Sequence, residues 1–114
     1  MVRVVKLDEA VDVEHPQWLK EAGIRDFHEK TMKGEGRLRL IYTTIPPGGE
    51  TGGAVKHDVE EAAFVIRGEL TYIVDGKEFT VGPNAAIFIQ AGEAHRVMNR
   101  GGETAHRLSV GSIK

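Results

Sequence analysis

Two polar clusters in this chain have the residue types and spacing needed to hold a divalent cation. The first runs Gly49-Glu50-Thr51-Gly52-Gly53-Ala54-Val55-Lys56-His57-Asp58-Val59-Glu60-Glu61 and closes at Gly68. The second runs Gly92-Glu93-Ala94-His95-Arg96-Val97-Met98-Asn99. Together they offer two imidazoles and one carboxylate, a set that can grip a metal on one face and leave other positions open. In an extended segment His57 and Glu61 project to the same side and Glu60 to the other. Glu61 leads into Ala62-Ala63-Phe64-Val65-Ile66, where an ionised carboxylate is costly without a partner. A metal ion or a buried histidine would supply that partner; the alternative is a rim carboxylate in solvent. His95 stands where a strand restarts after Ala91-Gly92, with Val97 and Asn99 on its side.

Strands must carry these residues. From Arg37 onward Leu38, Leu40 and Tyr42 alternate with Arg37, Arg39 and Ile41, the period of a half-buried strand. Pro46-Pro47-Gly48-Gly49 ends it. Phe64-Val65-Ile66 is a short apolar run stopped at Gly68. Leu70 to Val74 and Lys77 to Val81 are joined by Asp75-Gly76, a strong hairpin signal. Gly82-Pro83-Asn84 turns into the apolar Ala86 to Ile89. His95 to Asn99 forms a strand, Gly101-Gly102 a turn, and Ala105 to Val110 the last strand. Turns about every ten residues and no long helix after residue 37 predict a β-sandwich or barrel.

Residues 1–36 read as an N-terminal extension and residues 37–114 as the β-barrel. In the extension, Val2, Val4 and Val5 suggest a short strand. Pro16 opens either a helical turn to Ala22 or an extended stretch, Asp26 to Lys33 reads as charged and mobile, and Gly34-Glu35-Gly36 is a turn.

The bulk composition excludes several classes. The chain of 114 residues has one domain's length. Its net charge is -2 and its fifteen Lys and Arg are scattered, so no basic stripe marks a nucleic-acid face. No stretch is apolar enough to span a membrane. There are no cysteines, which excludes thiolate metal sites and disulfides and fits a cytoplasmic location. The N-terminus carries no visible signal peptide.

The two clusters resemble the paired motifs of a small single-domain cupin. Gly49, Val55-Lys56-His57, Glu61 and Gly68 keep the spacing of the family's first motif. Asn84, Gln90, Gly92, His95 and Asn99 keep that of the second. The resemblance covers about residues 37 to 110. It implies an all-β, antiparallel double-stranded β-helix, or jelly-roll barrel, with His57, Glu61 and His95 as metal ligands. Three residues depart from the pattern. Val55 stands where the first metal histidine is expected, Asn84 where a glycine is expected, and Gln90 where a proline is expected. Asn84 is mild, because asparagine tolerates a left-handed backbone.

Two readings of Val55 stay open. In one, His57, Glu61 and His95 form a two-histidine, one-carboxylate face for iron, manganese, nickel or zinc. In the other, the lost ligand leaves a metal-poor barrel that binds an organic molecule. Arg39, Tyr42, Gln90, Asn99 and His106 are candidates for the substrate pocket. Arg39 would pair with an acidic group, and His106 shares the parity of Leu108 and Val110. Each also has a structural or solvated alternative.

The expected function is a metal-binding cupin that acts on or binds a small polar molecule. As an enzyme it would be a dioxygenase, isomerase or lyase. The alternatives are a ligand-sensing cupin, similar to the sensor half of some helix-turn-helix regulators, and a metal-free sugar epimerase or isomerase with a histidine base. The resemblance also implies a homodimer.

Overall fold

A computed structural model describes residues 2–12, 28–51 and 59–112. These form nine strands: β1 (Val11–Asp12), β2 (His28–Lys33), β3 (Leu38–Ile45), β4 (Glu61–Arg67), β5 (Leu70–Val74), β6 (Lys77–Val81), β7 (Ala86–Ile89), β8 (His95–Met98) and β9 (Ala105–Ser112). A six-stranded sheet runs β1-β2-β3-β9-β4-β7 and a three-stranded sheet runs β6-β5-β8. The two sheets have an all-β jelly-roll arrangement, with every ladder antiparallel. Among the described residues no helix is long and apolar enough to cross a membrane.

Local chemistry sets the turns. Val74 pairs with Lys77 across Asp75 and Gly76, at φ of 47° and 82°. That is the two-residue hairpin whose left-handed backbone Asp-Gly accommodates. Gly68 also has a positive φ of 79°, and a Cβ there would come 2.8 Å from the Ala105 Cα. Only glycine lets β4 leave the sheet beside β9 at that point.

The register grades the barrel interior from polar to apolar. Glu61, Gly111 and Arg39 form one inward row across β4, β9 and β3. Ala63, Ser109, Ile41 and Thr31 form the next, and Val65, Arg107, Thr43 and Glu29 the third. Ala63 and Val65 of these rows join Ile45, Leu70, Tyr72, Val74, Val81, Ile89, Val97 and Ala105 in the apolar core.

This inversion corrects several sequence expectations. Leu38 and Leu40 lie outside, 66% and 36% exposed, while Arg39, Ile41 and Thr43 turn inward. On β9 the inward side is Ala105, Arg107 and Ser109, so His106 takes the outer face with Leu108 and Val110. Of Asp26 to Lys33, expected to be charged and mobile, the part from His28 to Lys33 is a full strand paired with β3 along its length. It carries no apolar period because Glu29 and Thr31 face a polar cavity rather than the core. Val2 and Val4, expected in a strand, are 96% and 84% exposed, and residues 2–6 form no strand. The expected turn at Pro16 to Ala22 lies outside the described residues.

Candidate functional site

The cavity inside the barrel has a volume of about 270 Å³. Its chemistry comes from Glu29 and Thr31 on β2, Arg39 on β3, Thr51, Glu61 on β4, His95 on β8, and Arg107 and Ser109 on β9. Ile41 and Val97 supply apolar wall.

Glu61 opens β4, where it pairs with both Gly111 and Ile89. His95 opens β8 opposite Val74. The hairpin turn fixes that start: Asp75 N donates to the Ala94 carbonyl at 2.9 Å, and Ala94 N donates to Asp75 Oδ1 at 3.1 Å. The two sheets thereby bring His95 Nε2 to 2.9 Å from Glu61 Oε1. The other ring nitrogen, Nδ1, lies 3.2 Å from the Glu93 carbonyl. A carbonyl only accepts, so Nδ1 carries a proton and Nε2 is the nitrogen turned to the cavity. The hydrogen bond with Glu61 raises the His95 pKa above its ordinary value. Burial opposes that shift, and the Glu93 carbonyl supports it.

A second polar group lies behind this pair. Arg107, 9% exposed, donates from Nη1 to Tyr72 Oη at 2.7 Å, and its Nη2 is 3.8 Å from Glu29 Oε1. Burial works against the guanidinium charge, but Tyr72, Glu29 and Glu61 together hold its pKa above the usual value. Burial pushes the Tyr72 hydroxyl up, against the pull of Arg107.

The first cluster reaches the site along β8. Thr51 N donates to the Val97 carbonyl at 2.9 Å, and Val97 N donates to Thr51 Oγ1 at 3.1 Å. This ladder leads into residues 52–58. His57 and Val55 lie there, outside the described residues.

The structure brings together Glu61, His95 and Arg39 from the sequence candidates. Asn99 is instead a buried corner. Its Nδ2 donates to the Ile45 and Glu103 carbonyls, and its Oδ1 accepts from Gly101 N. Tyr42 Oη and His106 Nδ1 meet at 2.6 Å on the outer side of β3 and β9, away from the cavity lining. Gln90 sits exposed in the turn after β7, its backbone N bonded to Glu93 Oε1. Arg107, Glu29, Thr51 and Ser109 were not anticipated. The signal for Arg107 and Ser109 is the alternation of Ala105, Arg107, Ser109 and Gly111 with bulkier Leu108 and Val110.

Among the described residues no three His, Cys, Asp or Glu side chains converge as a metal site. Glu61 and His95 are two donors that fit one. Donors in adjacent positions, each about 2.1 Å from an ion, stand roughly 3 Å apart. The pair can also serve directly as a proton donor and acceptor.

Comparison with known proteins is consistent with this arrangement. The family described as "Cupin domain" matches residues 41–111. The HTH-type transcriptional regulators PuuR of Escherichia coli (strain K12) and of Shigella flexneri are each 31% identical over 62 residues, covering 54% of this chain and 34% of theirs. The chain thus spans about a third of the length of the curated relatives it matches. A cupin-superfamily sugar phosphate isomerase from Silicibacter pomeroyi superposes with a TM-score of 0.81 at 20% identity, over 98% of this chain and 76% of that one. The polyketide cyclase RemF from Streptomyces resistomycificus gives 0.79 at 24% identity, over 100% and 81%. These two likenesses are of fold, and one fold hosts many activities.

Proposed function

This chain belongs to the cupin domain family, and on that premise we propose that it is a metal-binding cupin that takes a small polar molecule into its barrel. The observation that carries this reading is the 2.9 Å approach of His95 Nε2 to Glu61 Oε1 at the lining of a polar cavity. His57, Glu61 and His95 would hold a divalent iron, manganese, nickel or zinc ion. With valine at position 55, three protein donors leave coordination positions for the ligand. Such an ion would polarise an oxygen of the bound molecule. The chain's own contribution is orientation. The Glu93 carbonyl fixes the His95 ring, and Tyr72 and Glu29 fix the Arg107 guanidinium. Cobalt titration tests the reading. Visible bands of a protein-bound ion that are lost in both His57→Ala and His95→Ala support it, and a spectrum identical to free cobalt in wild type defeats it.

A second reading has a specific observation behind it. The stretch shared with PuuR at 31% identity makes this a candidate ligand-sensing module without catalysis. A molecule that binds the barrel and is recovered unchanged would favour sensing over turnover.

The assembly we propose is a homodimer. Leu40, Val110, Ala62 and Phe88 form a continuous row on the outer face of β3, β9, β4 and β7. Phe64 and Ile66 extend it, at 43% and 45% exposure. The row ends on the edge strand β7. A twofold pairing of identical faces would cover the row and approach that edge at once.

A further inference from the structure

We infer that the molecule taken into the barrel is a small organic acid, with its carboxylate received by Arg39 and Arg107. The inference deepens the proposed reading and rests on the barrel interior being the ligand site.

Two buried donors carry it. Arg107 Nε and Arg39 Nε are shielded from solvent and have no hydrogen-bond acceptor among the described residues. Both side chains line the same cavity. A guanidinium only donates, and neither Nε has an acceptor among the described residues, so the positive charge of each side chain is only partly offset by the protein. The Arg107 group cannot swing away to find one, because Tyr72 Oη anchors its Nη1 at 2.7 Å.

Charge points the same way. Glu29 faces Arg107 and Glu61 faces His95, which leaves Arg39 the lining cation without a carboxylate partner among the described residues. Arg39 leans across β9, where Gly111 has no side chain to obstruct it. A Cβ on Gly111 would lie 3.7 Å from Arg39 Nε. In the same inward row, Gly111 separates Arg39 from Glu61. Arg39 also lines an adjoining groove with Arg3, Lys33 and Glu9, where basic groups outnumber the acid. Such a mouth concentrates anions.

Size and polarity narrow the class. A volume of about 270 Å³ lies just below the usual range of ligand pockets, which begins near about 300 Å³, so the occupant is small. The Thr31 and Ser109 hydroxyls suit further oxygens on the acid. An amine ligand would place its charge against two guanidiniums.

The test is calorimetric titration of the full chain, metal-loaded and metal-stripped, with acetate, succinate and malate. Acetamide, succinamide, butylamine and orthophosphate are the comparison probes. We expect at least one acid to bind about tenfold or more tightly than its amide, since charge-assisted bidentate contacts are the strong ones. Arg39→Met should lose that preference while keeping the metal content of wild type. Arg67→Met, at an exposed site, should keep it. If Arg107→Met fails to fold, Arg39→Met alone decides the matter. Acid binding that persists without metal upholds the inference even where the metal reading fails. The inference is overturned if no acid binds, if amides or butylamine bind as well, if only orthophosphate binds, or if Arg39→Met binds acids like wild type.

Discussion

Glu61 Oε1 and His95 Nε2 meet at 2.9 Å although they begin strands in different sheets, β4 in the six-stranded sheet and β8 in the three-stranded one. The contact therefore reports the closure of the barrel as well as the chemistry of its interior. His95 is held from behind by the Glu93 carbonyl, and Glu61 by its pairing with Gly111 and Ile89.

That contact gives metal-stripped protein a defined pH response. Glu61 raises the His95 pKa above its ordinary value, so the protonated ring stabilises the folded state. The contribution is fully present below the unfolded value of about 6.5 and disappears as pH rises through the raised folded value. Thermal melts of metal-stripped wild type should lose stability above about pH 6.5 relative to His95→Gln. Metal affinity should move oppositely and grow with pH, because Nε2 must be free of its proton to bind. A stability difference that does not change with pH would contradict the assignment.

Asn99 should matter for stability rather than for ligand binding. Its side chain joins the Ile45 carbonyl, the Glu103 carbonyl and Gly101 N, while its backbone bonds Gly48 and Gly49. Asn99→Ala removes the side-chain hydrogen bonds to the Ile45 carbonyl, the Glu103 carbonyl and Gly101 N, and should cost about 2–4 kcal/mol in urea unfolding. A loss under about 1 kcal/mol would mean that the corner is held by its backbone alone.

The hairpin at Asp75-Gly76 and the turn at Asn84, with φ of 64°, were legible because few residues accept a left-handed backbone. Strands β5, β6 and β7 were legible to the residue. Strand β2 was not, because an inward face of Glu29 and Thr31 lacks the apolar alternation that marks a core strand. The same physics hid Arg107. On β9 the bulky apolar residues Leu108 and Val110 face outward, and parity judged by hydrophobicity selects His106 instead. The rule that apolar means inside fails on a sheet that lines a polar cavity.

That outward apolar face predicts the oligomeric state. Light scattering at micromolar concentration should give twice the mass of one chain. Phe88→Asp, at a residue 73% exposed, should give a monomer with an unchanged melting profile at low concentration. A monomeric wild type would remove the dimer, and a dimeric Phe88→Asp would move it to another face.

We propose that Glu61 and His95, with His57, hold one metal ion. The most direct measurement is elemental analysis of wild type, Glu61→Gln, His57→Ala and His95→Ala after loading separately with iron, manganese, nickel and zinc and exhaustive desalting. We predict about one ion per chain of at least one metal in wild type, and loss of most of it in each variant while the fold persists by circular dichroism. Wild type that retains none of the four metals, or variants that retain as much as wild type, would contradict it.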